Sequence, residues 1–273
     1  MFSFLVNFFS ERGIDLIAPI PLADCKIVKP YLLEKHGVSD GTAVMIAVPY
    51  FSRECTDEKR NVSCYAVSKD YHGFFKDLFD ELLPLLRKNY PQNKFAGFAD
   101  HSPIAEVDAA ARAGLGVIGR NHLLITEQYS SLVFLACLVT DATFPCSVVD
   151  AGYCENCGKC VSACPTQTSI EGCLSALTQK KGVLTDEEEK TILRHGSVWG
   201  CDICQLSCPH TQKAIRNGTI YSKIPYFNED NVPTLTLPIL DRMTDEEFST
   251  RAYAWRGRET VRRNLLLMSK PKS

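Results

Sequence analysis

Eight of the thirteen cysteines in this 273-residue chain form two closely spaced groups with one cysteine between them. The first group has the spacing C-x2-C-x2-C-x3-C-P, and the second has the spacing C-x2-C-x3-C-P. The eight residues are Cys154, Cys157, Cys160, Cys164, Cys173, Cys201, Cys204 and Cys208. The first spacing is that of bacterial proteins with two [4Fe–4S] clusters, which together need eight thiolates. The pattern therefore predicts two cubane clusters and the transfer of electrons one at a time.

The spacing also predicts which cysteines share a cluster, because the fourth cysteine of such a run ligates the other cluster. By analogy with two-cluster ferredoxins, one cluster is expected to use Cys154, Cys157, Cys160 and Cys208. The other is expected to use Cys164, Cys173, Cys201 and Cys204. Zinc also binds C-x2-C pairs, but four cysteines at this spacing followed by proline favour the clusters. A disulfide framework is disfavoured because nothing else in the chain resembles a secreted protein.

The composition is that of an ordinary globular protein. Apolar residues make up 45% and charged residues 23%, and the net charge of −2 gives no general attraction to nucleic acid. No apolar run approaches the roughly 18 residues that a membrane-spanning helix needs. The apolar N-terminus lacks a basic lead and a cleavage site, which predicts a packed first helix rather than a signal peptide. Reduced thiols and oxygen-sensitive clusters together predict a cytoplasmic protein with no membrane association.

Residues 1–145 alternate between strand-like and helix-like segments. The apolar runs that predict strands are Ala43–Val48, Phe95–Ala99 and Leu132–Val139. A 3.6-residue period predicts a helix over 72–90, which Pro84 should kink or split. An alanine-rich helix over 105–113 should stop at Gly114.

Two capping boxes mark helices in the rest of the chain. Thr185 and Glu188 predict the start of a helix between the cysteine groups, and Gly196 predicts its end. Thr244 and Glu247 predict the start of the last helix.

These elements predict an α+β fold in three parts. Residues 1–145 are expected to form a three-layer α/β sandwich, and residues 146–215 a ferredoxin-like domain with both clusters. Residues 216–273 are expected to form a tail that packs back on the core.

A glycine-rich motif at residues 114–119 has the form G-x-G-x-x-G. A dinucleotide site would need a strand before this motif and a helix after it. Here a helix is predicted before the motif and a strand-like segment at residues 123–125 after it. The context therefore argues against a nicotinamide site.

Several stretches together resemble one known family. They are Tyr65-Ala66, Lys69-Asp70-Tyr71-His72, Ala99-Asp100 with Pro103 and Glu106, Ala113–Asn121, and Gly200–Pro209. In order and spacing they resemble the epoxyqueuosine reductases, cobalamin-dependent iron–sulfur enzymes that act on tRNA and share a reductase core with the reductive dehalogenases. The resemblance runs from about residue 40 to the end and includes Arg262-Arg263-Asn264. The stretch from Asp100 to Asn121 makes it specific.

The resemblance implies an oxidoreductase in which the clusters supply electrons to cobalamin held by residues 1–145. Its substrate would be epoxyqueuosine in tRNA, which two electrons and two protons convert to queuosine with loss of water. Asp100 would be the proton donor, because desolvation at the end of an apolar strand should raise its pKa and keep it protonated near neutral pH. From the residues alone, an N-cap of the following helix is the alternative for Asp100.

The resemblance also implies residues that contact the corrin. They are Cys64, Tyr71, Gly116, Gly119, Arg120, Asn121 and Ser175. The two glycines would let the backbone approach a large flat ligand, and the arginine and asparagine would bind its amide and phosphate groups. A plain glycine turn, an aromatic packed in the core and a small buried cysteine are the alternatives that the residues leave open.

The implied partners are tRNA and a small redox donor such as flavodoxin or ferredoxin, with the protein a monomer. Family members usually continue into a helical-repeat extension that helps to hold tRNA, so a chain ending at Ser273 is expected to be a short form. Arginines between 251 and 263 are compatible with phosphate contacts or with a solvated helix face. Two other functions stay open: a corrinoid reductase with a different substrate, and a two-cluster electron-transfer protein without cobalamin.

Overall fold

A four-stranded antiparallel sheet forms the centre of the first half of the protein. The computed structural model describes residues 1–166 and 172–269. The sheet strands are β1 (Leu16–Pro21), β2 (Thr42–Pro49), β3 (Phe95–Ala99) and β6 (Val133–Thr140), in the spatial order β1-β2-β6-β3. Each neighbouring pair is antiparallel. Two shorter strands, β4 (Val117–Ile118) and β5 (Leu124–Ile125), form a separate antiparallel pair.

The helices lie before, between and after these strands. Those of the first half are α1 (Phe2–Ser10), α2 (Pro30–Lys35), α3 (Tyr71–Asn89) and α4 (Glu106–Arg112). Those that follow the sheet are α5 (Lys159–Ala163), α6 (Leu174–Gln179), α7 (Asp186–His195), α8 (Ile203–Leu206), α9 (Pro209–Asn217), α10 (Leu237–Arg242), α11 (Asp245–Ser249) and α12 (Arg258–Met268). Within the described ranges, no helix combines the length and apolar character needed to cross a membrane.

Strand β2 is buried along its whole length because helices cover both faces of the sheet. Val44, Ile46 and Val48 point into a core cluster with side chains of α1 and α3. Ala43 and Met45 point into a second cluster with side chains of α2 and α4. A strand buried on both faces has no polar alternation, which explains its continuous apolar run. The predicted mixed fold of helices and sheet is confirmed.

Helix α3 packs closely on β3 because Gly97 has no side chain. A Cβ atom at Gly97 would lie 2.3 Å from Cδ1 of Phe79 on α3. Pro84 was predicted to kink or split this helix; it does not split it, since α3 is one element of 19 residues, and the kink stays a prediction. Pro84 has no N–H to donate to the carbonyl of Asp80. Both residues are exposed, so water can donate to that carbonyl instead. The close packing brings the start of α3 to the end of β3.

The two capping boxes are present, but the second opens a different helix from the one predicted. Thr185 and Glu188 cap α7, which ends at Gly196 with φ 65°. Thr244 and Glu247 cap α11, which has five residues, whereas the last helix α12 begins only after Gly257. Gly257 has φ 87°, outside the right-handed helical region, and separates the two helices.

Candidate functional site

An open cavity of about 670 Å³ lies between the end of the sheet and the segment from Cys154 to Cys208, which we call the cysteine segment. Its lining is Tyr50, Tyr65, Asp70, Tyr71, His72, Asp100, Leu123, Ser131, Val133, Phe134, Gln179, Gln205, Ala252 and Trp255. These residues come from strand ends, from the first turn of α3, from the cysteine segment and from the C-terminal part. Several segments distant in sequence therefore build one cavity.

One wall of the cavity is a stack of aromatic rings. The rings of Tyr71 and Phe134 are stacked at 4.1 Å between centroids with an interplanar angle of 16°. Tyr50 lies 4.2 Å from Phe134 on the same wall. Such rings bury a large apolar surface and lose little conformational freedom, so they make a rigid flat wall.

Asp100 stands in a strained turn directly after β3. Its φ is 60°, and the N–H of His101 donates to the carbonyl of Ala99 at 2.6 Å, which closes a three-residue γ-turn around Asp100. A γ-turn with positive φ at a residue other than glycine costs free energy and persists only where the surroundings hold it. The turn directs the Asp100 side chain into the cavity.

Two neighbours on α3 hold the Asp100 carboxylate. The Tyr71 hydroxyl donates to Oδ2 of Asp100, and Nε2 of His72 lies 3.4 Å from the same oxygen. On its other side, Nδ1 of His72 lies 2.9 Å from Oδ1 of Asp70, whose carboxylate also caps the helix by accepting the N–H of His72. His72 therefore bridges two carboxylates.

The predicted pKa of Asp100 is wrong in direction. Burial does act to raise the pKa of Asp100, but hydrogen bonds from His72 and Tyr71 outweigh it, and the pKa is lowered. Hydrogen bonds to Asp100 and then to Asp70 raise the pKa of His72 to about 10, although burial opposes this. At neutral pH the proton of this pair therefore resides on His72, next to an ionised Asp100.

The helix-cap alternative for Asp100 does not hold. Helix α4 begins at Glu106, and its N-cap is Ala105, which offers no capping side chain. The Ser102 hydroxyl accepts the N–H of Ile104 at 3.3 Å, before the helix starts. Asp100 is free of any capping role and faces the cavity instead.

The first set of four cysteines lines one small pocket, as the spacing predicted. The residues of this cysteine pocket are Arg120, Asn121, Ile125, Cys154, Glu155, Asn156, Cys157, Gly158, Cys160, Cys208, Pro209 and His210. Cys208 comes from the second cysteine group, as the expected exchange of one ligand between the groups requires. Four thiols around one pocket are a suitable ligand set for a [4Fe–4S] cluster.

The cysteines of the second set are each half-buried and close enough to influence one another's pKa values. Burial raises the pKa of Cys204 to about 11, and the nearby thiols of Cys173 and Cys164 add to the shift. Burial likewise raises the pKa of Cys201 to about 12, with Asp202 and Cys173 contributing. Four cysteine side chains in one region offer the ligand set that a [4Fe–4S] cluster uses. No group of three or more His, Cys, Asp or Glu within the described part of the chain is arranged around a single ion.

A buried ion pair joins the cysteine segment to the first half of the chain. Asp202, next to Cys201, accepts from Arg60 Nη1 at 2.7 Å, from the N–H of Cys64 at 2.8 Å and from the Ser63 hydroxyl at 2.5 Å. The Asp202 carboxylate is only 2% exposed, so removing a partner would leave an unpaired charge inside the protein.

A second buried contact holds the cysteine segment from the C-terminal side. Asn264 on α12 is fully buried and donates to the carbonyls of Thr178 and Val198 at 2.7 and 2.8 Å. Arg263 donates to the carbonyls of Lys180 and Gly182, both at 2.7 Å. These side chains are used in internal bonds.

The structure places the expected corrin-contact residues in different locations. Of these seven, Tyr71 lines the large cavity, whereas Arg120 and Asn121 line the cysteine pocket. Cys64 is 1% exposed and is not among the cavity residues. Ser175 lies one helical turn from the cavity and accepts from Gln179 at 3.0 Å.

The two glycines have a structural reason of their own. A Cβ atom at Gly116 would lie 2.3 Å from the carbonyl oxygen of Ile125, and one at Gly119 would lie 2.3 Å from Oδ1 of Asn121. A side chain at Gly116 would therefore collide with backbone of β5, whereas at Gly119 the nearest atom is the end of a side chain that can move. This packing agrees with the plain glycine turn that the sequence left open, and contacts of the two glycines with a corrin stay a prediction.

Several cavity residues have no signal in the sequence. Gln205 is placed here because it follows Cys204, and its Oε1 accepts from the Ser131 hydroxyl at 3.2 Å. Trp255 is 59% exposed, and the Arg256 guanidinium lies 3.8 Å from the centroid of its ring. The Cys201–Pro209 motif could have located Gln205, but only the fold brings Trp255 to the cavity.

Comparison with known proteins gives matches to both halves of this arrangement. A family profile described as "4Fe-4S double cluster binding domain" matches residues 153–211, and one described as "Epoxyqueuosine reductase QueG, DUF1730" matches residues 39–101. The epoxyqueuosine reductase of Gloeobacter violaceus is 30% identical over 234 residues, which cover 83% of this chain and 72% of that protein. That of Bacillus subtilis is 31% identical over 263 residues, which cover 89% of this chain and 65% of that protein.

Solved structures agree with the sequence matches. The epoxyqueuosine reductase from Streptococcus thermophilus superposes with a TM-score of 0.78 at 26% identity, covering 98% of this chain and 80% of that one. A crystal structure of epoxyqueuosine reductase with a tRNA-Tyr epoxyqueuosine-modified stem loop gives a TM-score of 0.78 at 25% identity, covering 97% and 80%. The chain spans 65% of the length of the Bacillus subtilis protein and 54% of that from Listeria monocytogenes.

Proposed function

We propose that this chain, which belongs to the epoxyqueuosine reductase family, is a cobalamin-dependent iron–sulfur oxidoreductase that reduces epoxyqueuosine in tRNA to queuosine. The observation that carries the proposal is the Asp100 carboxylate, held by Tyr71 and His72 in a cavity that also reaches Gln205 beside Cys204. In this proposal the proton source faces the cavity, and the second cluster site lies next to it because Gln205 of the lining follows Cys204. A simple electron carrier would need only the cysteines.

The lining of the cavity suits a corrin. A flat aromatic wall of Tyr71 and Phe134 matches a flat macrocycle, and the side chains of Ser131, Gln179 and Gln205 can bind peripheral amides. When bound there, cobalamin would supply a low-potential cobalt centre for two-electron chemistry, and the protein would supply orientation and protons. Contacts from Cys64, Gly116, Gly119, Arg120, Asn121 and Ser175 stay predictions, and the geometry favours Tyr71 among the seven expected residues.

Proton supply is the task of Asp100 and its neighbours. Opening an epoxide to an alkene requires a proton on the departing oxygen, and the whole reduction consumes two protons. His72 is protonated at neutral pH, and its Nε2 atom lies 3.4 Å from Oδ2 of Asp100. The Tyr71 hydroxyl donates to the same oxygen and holds that carboxylate in place. The proton would pass from Nε2 of His72 to Asp100 and from there to the substrate oxygen. Asp70 on the far side of His72 keeps the imidazole oriented.

The two cysteine sets would hold clusters in series with the cavity. The Cys154, Cys157, Cys160 and Cys208 set lines its own pocket, and the Cys164, Cys173, Cys201 and Cys204 set would lie nearer the cavity because Gln205 follows Cys204. Electrons from a small donor such as flavodoxin or ferredoxin would then enter at the first set. Exposure of Cys157 agrees with entry at this end.

We also infer a three-part organisation from the sequence, with a reductase domain over 1–145, a double-cluster domain over 146–215 and a C-terminal part over 216–273. The bonds of Asn264 to Thr178 and Val198 support a C-terminal part that packs back on the rest. A cytoplasmic monomer acting on tRNA completes the proposal. Arg258, Arg262 and Arg263 are used in internal bonds and ion pairs, so they offer tRNA less charge than the sequence suggests.

The test is turnover of epoxyqueuosine-containing tRNA by anaerobically reconstituted protein with cobalamin and a strong reductant. We expect queuosine to form, and Asp100→Asn to lower kcat by at least about 100-fold, the lower end of the range for a general acid. Iron content and cobalamin binding should be unchanged in that variant. Asp77→Asn, an exposed carboxylate on the same helix as Tyr71, is the matched control and should keep full activity.

Three outcomes would contradict parts of this proposal. No change in the cobalamin spectrum on addition of protein would exclude both corrinoid functions and favour the electron carrier. Binding without turnover of the tRNA would favour a different substrate. Full activity of Asp100→Asn would remove Asp100 as the donor.

A further inference from the structure

Glu106 is an acid inside the protein that the proposed mechanism does not use. It is the first residue of α4, six residues after Asp100, and its Oε1 atom is fully buried with no hydrogen-bond partner. Unsatisfied buried polar atoms are uncommon in native proteins, and near a functional site they call for an explanation.

The surroundings of Glu106 connect it to the Asp100 turn. The Asp100 amide N–H and the Ser102 hydroxyl lie within hydrogen-bonding reach of its carboxyl group. Glu106 therefore lies beside the loop that forms the strained γ-turn, and it is not among the residues that line the cavity. The polar groups that reach it belong to the same loop that presents Asp100.

Two charged groups have the largest electrostatic effects on the Glu106 carboxyl group. They are Asp100, which raises its pKa, and Lys29 on the segment before α2, which lowers it. Helix α4 packs against β1, β2, β4, β5 and β6. Among the described residues of those strands the titratable side chain is Cys137, whose thiol is buried and held neutral by a raised pKa.

The protonation state of Glu106 follows from this position. Burial raises the pKa of Glu106 to about 8, and the negative charge of Asp100 adds to the shift. At neutral pH Glu106 is therefore mainly an uncharged acid, while Asp100 is ionised. Two carboxyl groups so close share an electrostatic coupling, so the charge of either one affects the other.

We propose that Glu106 is a positioning residue for Asp100: as an uncharged acid it supports the loop that forms the strained turn, and as a carboxylate it places a second negative charge beside that loop. The inference rests on the proposed function, in which Asp100 delivers the proton. An ionised Glu106 repels the Asp100 carboxylate and disturbs the geometry that Tyr71 and His72 maintain. Activity should therefore decrease as pH rises through the ionisation of Glu106.

Glu106→Gln tests this directly, because glutamine keeps the size of the acid but cannot ionise. In the wild-type protein we expect kcat/KM to decrease about tenfold per pH unit above the midpoint of a single ionisation. In Glu106→Gln the decrease near pH 8 should be absent, so that at about one pH unit above the midpoint the variant exceeds the wild type by about tenfold. Asp108→Asn on the same helix is the matched control and should keep the wild-type profile.

Infrared spectroscopy gives a second reading that needs neither substrate nor cobalamin. The stretching band of a protonated carboxyl group should be present in the wild-type protein at neutral pH, disappear as pH rises through about 8, and be absent in Glu106→Gln. This measurement separates the inference from the proposed function, since it holds whether or not the tRNA is turned over. The inference would be overturned if kcat/KM of Glu106→Gln decreased at alkaline pH as it does in the wild type. It would also be overturned if the wild type showed no protonated carboxyl band at neutral pH.

Discussion

The cavity wall around Asp100 and the cysteine segment hold their functional groups in different ways. In the wall, Asp100 follows a sheet strand and Tyr71 begins a helix of 19 residues, so long regular elements carry the side chains. In the cysteine segment the helices α5 and α8 have five and four residues and bury few side chains. The wall is therefore positioned by its own elements, whereas the cysteine segment depends on contacts from outside it.

Two carboxylates illustrate the difference. Asp100 accepts from side chains on the adjacent helix, and its carboxylate stays 56% exposed in the cavity. Asp202 accepts from Arg60, Ser63 and Cys64 across more than 130 residues of sequence and is 2% exposed. The exposed carboxylate is available for proton transfer, while the buried one fixes a loop. Removing each should therefore affect different properties.

The largest expected effect on stability is at the outside contact that holds the cysteine segment. Asp202→Ala leaves the Arg60 guanidinium unpaired in a buried position, which should lower the free energy of unfolding by about 3–5 kcal/mol. It should also reduce iron content, because the loop with Cys201 and Cys204 loses its anchor. Urea unfolding and iron analysis of reconstituted protein measure both effects. Asp245→Ala, which removes a fully exposed carboxylate, is the control; equal effects of the two variants would refute the comparison.

The next effect is at the contact from the C-terminal side. Asn264→Ala leaves the buried carbonyls of Thr178 and Val198 without donors, which should lower the free energy of unfolding by about 2–3 kcal/mol. Asn217→Ala, at the exposed end of α9, provides the comparison and should be nearly neutral. If Asn264→Ala is as stable as Asn217→Ala, the cysteine segment does not depend on α12.

A capping box within the cysteine segment should matter less than either outside contact. Thr185→Ala removes the side chain that accepts the N–H of Glu188, at a cost of about 1 kcal/mol. Thr244→Ala does the same for α11 outside the segment and should cost a similar amount. A loss for Thr185→Ala larger than for Asp202→Ala, measured by urea unfolding, would show that the segment is stabilised mainly from within.

The smallest effect concerns the stability of the cavity wall as pH changes. The pKa of His72 is raised to about 10 in the folded protein, from an unfolded value of about 6.5. Its stabilising contribution is therefore complete below about pH 6.5 and is lost as pH rises toward 10. His72 is more than half exposed, so solvent limits the contribution to less than about 1 kcal/mol. The free energies of unfolding of the wild type and His72→Gln should differ more at acidic than at alkaline pH. A larger difference at alkaline pH would contradict the positive charge assigned to His72.

Strands and helix caps, which depend on residues close together in the sequence, were predicted best. The strand Phe95–Ala99 and the capping boxes at Thr185 and Thr244 were located correctly, because propensity and capping act within a few residues. Cys208 lines one pocket with Cys154, Cys157 and Cys160, which agrees with the assignment made by analogy with two-cluster ferredoxins, and the cluster ligation itself stays a prediction. Local chemistry of this kind does not require knowledge of the fold.

Properties that depend on tertiary contacts were predicted poorly. Desolvation alone suggested a protonated Asp100, but α3 brings His72 and Tyr71 against it and reverses the sign. The close approach of Gly116 to the carbonyl oxygen of Ile125 on β5 was likewise not predicted from the sequence. Trp255 could not be assigned to the cavity because nothing near it in sequence is part of the site.

The two tryptophans of the chain occupy opposite environments. Trp199 is fully buried and donates to the Tyr65 hydroxyl at 2.8 Å, whereas Trp255 stands at the edge of the cavity with most of its ring exposed. A soluble fluorescence quencher such as iodide should therefore reach Trp255 and leave Trp199 almost unaffected. Any molecule that fills the cavity would shield Trp255, so the protein contains its own optical reporter of occupancy, with an internal reference in the core.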